Sequence, residues 1–238
     1  MRKTLRHALL LALIAVGPAA ARAETGQFTV SFGGLRAGIL AYDGTGSGGR
    51  YKVAGSARPS GLAGAFFSAR VDSAAQGRNT ENTFAPEVAR EITRDGDTTV
   101  ERVFRYAGGV PQITRTPPRS KPQRHAAPAA AQKGTVDTTT AAFAILRDRP
   151  EALACKLDIA IFDGARRHRI QFNDAQKTAS GLRCGGTYTR VAGFSPEEMA
   201  EQVTWPLQMD YVRQPDGTMR VAELRFRTSF GSARIRRR

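Results

Sequence analysis

From Gln27 onward apolar and polar residues alternate with a period of two. Phe28-Thr29-Val30-Ser31-Phe32 alternates cleanly, Gly33-Gly34 turns, and Leu35 to Tyr42 resumes the pattern. Successive side chains of a strand point to opposite faces, so this alternation predicts antiparallel strands buried on one face. Tyr51 to Ala57, Phe66 to Gly77, Phe84 to Thr93 and Thr98 to Tyr106 continue the series, and Arg94-Asp95-Gly96-Asp97 reads as a tight hairpin. Four Asp-Gly pairs, at Asp43, Asp95, Asp163 and Asp216, each separate two strand-like runs and are read as turns. None has the spacing of a calcium loop.

The alternation stops at a Pro- and Arg-rich segment of about 111–134, which carries Pro111, Pro117, Pro118, Pro122 and Pro128. It lacks apolar periodicity and is expected to be an extended, flexible loop, either a basic tether or a surface insertion. Asp137 is placed to cap a short helix from Thr138 to about Leu146. Strands follow at Cys155 to Phe162, Arg167 to Phe172 and Tyr188 to Ala192. Ser195-Pro196-Glu197-Glu198 is a capping box with proline at the first helical position. Trp205 to Val212 and Met219 to Phe230 form a last hairpin, and the arginine-rich tail Arg234 to Arg238 is expected to fray. About ten strands and one or two short helices predict a mainly β fold. The expected form is a single curved antiparallel sheet or half-open barrel, with a helix or loop on its concave face.

The first 23 residues follow another logic. Arg2, Lys3 and Arg6 precede an apolar run from Ala8 to Val16, Gly17-Pro18 breaks it, and Ala21-Arg22-Ala23 offers a small-x-small site. The run is too short to span a bilayer core of roughly 30 Å. This is a signal-peptide pattern, so residues 1–23 are expected to be removed and residues 24–238 to form one β-rich domain in the periplasm.

Charge adds a second constraint. The chain holds 36 Lys and Arg against 21 Asp and Glu, and without Arg2, Lys3, Arg6 and Arg22 the balance is 32 against 21. Such a field attracts anionic surfaces such as lipid headgroups or lipopolysaccharide, and an outer-membrane protein is a further candidate partner. Nucleic acid is set aside, because the chain is expected to leave the compartment that holds it. An arginine-rich but merely solvated surface fits the same count. The two cysteines, Cys155 and Cys184, are expected to form one structural disulfide, since they lack C-x-x-C spacing and histidines arranged as zinc partners.

No carboxylate pair, zinc triad or phosphate-binding glycine loop stands out, so no cofactor, metal or catalytic residue is assigned. Ser60 lacks the G-x-S-x-G context of a nucleophile elbow, and His168, in Arg166-Arg167-His168-Arg169, is expected to be an exposed neutral imidazole. The aromatic residues on alternating strand positions fit an ordinary sheet core or an apolar ligand cavity, to which Phe66, Phe67, Trp205 and Tyr211 are candidate contributors.

Gly49-Arg50-Tyr51-x-Val53-x-Gly55 with Ser60-Gly61-Leu62, then Gly134-Thr135-Val136-Asp137, Phe162-Asp163-Gly164-x-Arg166-Arg167 and Tyr188-x-Arg190-Val191-Ala192-Gly193-Phe194 resemble segments of an uncharacterised family of exported bacterial proteins, catalogued as a domain of unknown function. The resemblance implies a β-rich periplasmic domain without an assigned activity. Export, charge and missing catalytic motifs favour a non-enzymatic binding protein for a lipid or an anionic envelope component. The alternatives are a structural or assembly factor that binds envelope proteins, and a hydrolase of envelope polymers.

Overall fold

Alternating patterns become hydrogen-bonded strands wherever a neighbour of matching register is present. In a computed structural model of the chain, which describes residues 23–61, 64, 68–228 and 231–238, they build one antiparallel sheet. A first meander runs through β1 (Ala23–Phe32), β2 (Leu35–Ser47), β3 (Arg50–Pro59), β4 (Arg70–Asn79), β5 (Phe84–Asp95), β6 (Thr98–Ala107) and β7 (Val110–Thr116). Helix α1 (Thr138–Leu146) and the two-residue strand β8 (Arg149–Pro150) follow. The second meander comprises β9 (Leu157–Phe162), β10 (Arg167–Lys177), β11 (Gly181–Ala192), β12 (Thr204–Arg213), β13 (Thr218–Thr228) and β14 (Gly231–Arg237), with helix α2 (Pro196–Glu201) between β11 and β12.

The two meanders join through one strand. Strand β14 lies between β13 and β1, so the spatial order runs β7 to β1, then β14 down to β9, while β8 pairs with β13. The tail that composition marks as fraying is therefore an interior strand, paired Phe28 with Arg237 and Phe32 with Ala233 on one side and Leu224 with Ile235 on the other. Its alternation of small or apolar residues with arginine suits that place: Ala233 is buried and Arg234 is exposed.

The sheet does not close, because its edge strands β7 and β9 are not hydrogen-bonded to each other. The chain between β7 and α1 crosses the gap. Gly134 N–H donates to Gly109 O at 3.0 Å, while Val136 N–H donates to Ala160 O and Phe162 N–H to Val136 O, each at 2.8 Å. The segment expected to be a flexible loop over 111–134 thus opens as strand β7, and Ala127 and Gln132 are buried near its end. Alternation in Val110-Pro111-Gln112-Ile113 outweighs the proline there, and β7 is an edge strand, where a missing N–H is tolerated.

Three of the four Asp-Gly pairs do mark turns, with positive φ at Gly96, Gly164 and Gly217. Asp43-Gly44 does not. It lies inside β2, and the turn comes later at Gly48-Gly49. Gly44 is selected by packing, since a Cβ there would sit 2.8 Å from the Phe143 ring of α1. The predicted strand from Phe66 begins at Arg70 among the described residues, and Phe66 and Phe67 lie outside them.

Candidate ligand cavity

Helix α1 begins where the sequence predicts. The Asp137 carboxylate accepts the Thr139 and Thr140 amides at 3.0 and 2.9 Å and the Thr140 hydroxyl at 2.7 Å. This satisfies donors that a helix start leaves orphaned. Burial pushes the Asp137 carboxyl above its ordinary value, and the Thr140 hydrogen bonds oppose it. The Tyr51 hydroxyl meets Thr140 Oγ1 at 2.8 Å and so fixes the helix to β3. The helix lies on the concave face of the sheet, and Phe143 stacks on Tyr51 and meets Tyr42 and Phe84 edge-on. Burying Phe143, Ile145 and Leu146 supplies about 1.5–3 kcal/mol per side chain.

Past the helix, hydrogen bonds tie β1 to β2, and the end of α1 and the segment after it to β14 and β13. The Tyr42 hydroxyl donates to Glu24 at 2.6 Å, Arg237 donates to Leu146 O at 3.0 Å, and Arg220 donates to Asp148 at 2.6 Å. The other face of α1 leaves a gap against the second meander. This is a half-open cavity of about 630 Å³, within the size range of small-molecule sites. Ala141, Ala142, Ile145 and Leu146 of α1 form one wall, and Ile161, Ile170, Leu207, Leu224 and Ile235 the opposite one. Aromatic Phe32, Phe194, Trp205 and Phe226 complete the lining.

The polar residues of the lining gather toward one end of the sheet. Arg166 and His168 flank the start of β10, Arg190 lies near the end of β11, and Arg227 lies near the end of β13. Register places these ends together: Arg167 pairs with Ala192 and Thr228 with Gly231. Arg190 is held over the Trp205 ring at 4.5 Å and the Phe194 ring at 5.3 Å, and it donates to Gln202 O at 2.9 Å. Arg166 lies over the other reach of Phe194 at 4.9 Å and pairs with Glu198 at 2.9 Å. These stacks orient guanidinium groups that would otherwise be free to rotate. The capping box of α2 supplies Glu198: Ser195 N–H donates to it at 2.9 Å, and its own N–H donates to Ser195 Oγ.

His168 is not the exposed imidazole of the sequence reading. Its side chain is 17% exposed, with Nδ1 2.5 Å from the Tyr188 hydroxyl and Nε2 3.3 Å from Asp163 Oδ2. The Asp163 turn that precedes it folds back over the strand, which a strand-edge reading cannot foresee. Burial works to raise the Asp163 carboxyl, but hydrogen bonds from His168 and from the Arg166 and Ala165 amides outweigh it and hold it below its ordinary value. Burial raises the Tyr188 phenol against the opposing charges of Arg190 and Arg166. Both ring nitrogens of His168 are thus engaged, and Ser60 Oγ is buried without a hydrogen-bond partner, so the two do not form a nucleophile–base pair.

Among the residues proposed from sequence, Trp205 lines the cavity and its Nε1 is buried without a partner. Tyr211 is 2% exposed in the core and is not part of the lining. Cys155 and Cys184 form a disulfide with a Cα separation of 5.3 Å, which ties the chain before β9 to β11. Arg166, His168, Tyr188, Arg190, Phe194 and Arg227 were not singled out as site residues. Most of them fall in the Asp163–Arg167 and Tyr188–Phe194 segments that carry the family resemblance, whose local signals are those of turns and caps.

A family model described as a protein of unknown function, DUF3108, matches residues 27–235. No curated protein matches the chain. Among solved structures, the fold is similar to a β-barrel-like protein of domain of unknown function DUF1849 from Brucella abortus. The two are 9% identical with a TM-score of 0.52, over 93% of this chain and 98% of that one.

Proposed function

The chain belongs to the DUF3108 family of proteins of unknown function, and we propose that it is a non-enzymatic binding protein of the bacterial cell envelope that holds a lipid in the cavity beside α1. The observation that carries this reading is the cavity itself, about 630 Å³, half-open and walled by aliphatic and aromatic side chains. Water in such a space gains little from its walls, so an apolar ligand displaces it favourably. The amino-terminal signal pattern and the Cys155–Cys184 bridge are compatible with work in an oxidising periplasm. None of the described helices is long and apolar enough to cross a membrane.

Native mass spectrometry of the protein purified from a periplasm tests the reading. The expected result is an added mass that denaturation releases as a lipid. A bare protein mass, together with failure of a fluorescent long-chain probe to bind, overturns it.

A further inference from the structure

Among the described residues, the charged side chains that line the cavity are arginines. Arg166, Arg190 and Arg227 face it beside His168, and no Asp or Glu is among the described lining residues. The acids nearby are outside the lining: Glu198 pairs with Arg166, Glu201 with Arg190 at 3.8 Å, and Asp163 with His168. Arg227 is exposed and forms no ion pair among the described residues. Buried or half-enclosed cations of one sign beside an apolar wall repel each other and lose hydration, a cost that an anion between them removes.

Position adds to composition. All four basic groups lie at the end of the sheet where β9 meets β10, β11 meets β12 and β13 meets β14. The aliphatic walls lead away from that end toward Leu146, whose carbonyl Arg237 holds. An occupant with a charged head and an apolar tail fits this gradient in one orientation only. Trp205, whose Nε1 is buried without a partner, underlies Arg190 in the same wall and leaves a further donor unspent.

We infer that the arginine-lined end of the cavity is an anion-binding subsite, in which Arg227, Arg190 and Arg166 hold the carboxylate or phosphate head of a single-chain amphiphile whose tail lies along α1. This deepens the binding-protein reading and rests on it. A guanidinium meets either head through paired N–H donors, so the geometry is shared by a fatty acid and a phosphate monoester.

The test is displacement of a bound fluorescent probe by three ligands of one chain length: dodecanoate, dodecyl phosphate and dodecanol. The expected result is that both anions compete far better than the alcohol, and that Arg227→Gln weakens the anions on the order of tenfold while leaving dodecanol unchanged, as loss of one charge-assisted hydrogen bond requires. Among the described residues the Arg227 side chain makes no hydrogen bond or ion pair, so this variant is expected to keep its fold, and circular dichroism checks it. Preference for dodecanoate or for dodecyl phosphate assigns the head as carboxylate or phosphate. If dodecanol competes as well as the anions, or Arg227→Gln affects all three alike, the anion subsite is wrong while the cavity reading stands. If none of the three competes and no probe binds, the binding-protein reading falls with it.

Discussion

The Phe143 ring occupies the space that a side chain on Gly44 would fill: a Cβ built there lies 2.8 Å from Phe143 Cε2 and 3.2 Å from Lys52 O. The glycine keeps β2 bare so that α1 can lie directly on the sheet, and the helix in turn forms a wall of the cavity.

Gly44→Ala is therefore expected to destabilise by about 1–3 kcal/mol through overpacking. A lower urea midpoint at unchanged slope would show it. Phe143→Leu in the same chain should recover part of the loss, whereas strictly additive effects would mean that the two residues do not compete for space.

The disulfide closes a loop with a sequence separation of 29, worth about 3–4 kcal/mol in the loop-entropy model. Reduction, or Cys155→Ala with Cys184→Ala, should lower the denaturation midpoint accordingly. An unchanged midpoint after complete reduction, checked by thiol titration, would remove the bridge from the stability account.

Asp163 gives a pH dependence of known sign. Its carboxyl is held below the ordinary value, so its contribution is present above the unfolded Asp value and is lost as pH falls through the folded one. Asp163→Asn is expected to be less stable than wild type at neutral pH, and the gap should narrow in acid. Curves that stay parallel down to the acid transition would contradict the assignment.

Arg237 and Arg238 differ in what they hold. Arg237 lies over Phe28 at 4.7 Å and donates to Val221 O at 2.9 Å and Leu146 O at 3.0 Å, whereas among the described residues Arg238 reaches the exposed Gln27 side chain and backbone. Arg237→Ala should cost about 2 kcal/mol, since it leaves buried acceptors unpaired. Arg238→Ala should stay within about 0.5 kcal/mol. Equal thermal shifts for the two variants would refute this division.

Local rules were sufficient for the parts that are local. The Asp137 cap, the Ser195 capping box and the Asp95, Asp163 and Asp216 turns are written within four or five residues, and each is found. The curved antiparallel sheet follows from alternation alone. What escaped is what depends on a distant partner. Arg234 to Arg238 reads as solvated tail until Phe28 and Val221 supply neighbours. Gly44 reads as a turn until Phe143 is placed over it. Arg190 and Arg227 read as surface charge until the strand register brings them to one cavity. Trp205 was recognisable because a large aromatic residue on a strand is costly to leave exposed, while Tyr211, chosen on the same ground, went to the core.

Strand β14 also bears on how fast the molecule assembles. Its pairing with β1 joins the two meanders into one sheet and brings together groups as much as 212 residues apart in sequence. Each meander can zip up through short hairpins, but this seam must wait for the longest loop to close, and pairings of such range slow folding. Until it forms, β1 and β14 each present an unpaired edge able to capture another chain. The waiting time before the seam closes is thus the period in which the protein is most exposed to aggregation, and agents that shield strand edges should raise its refolding yield more than agents that stabilise the finished fold.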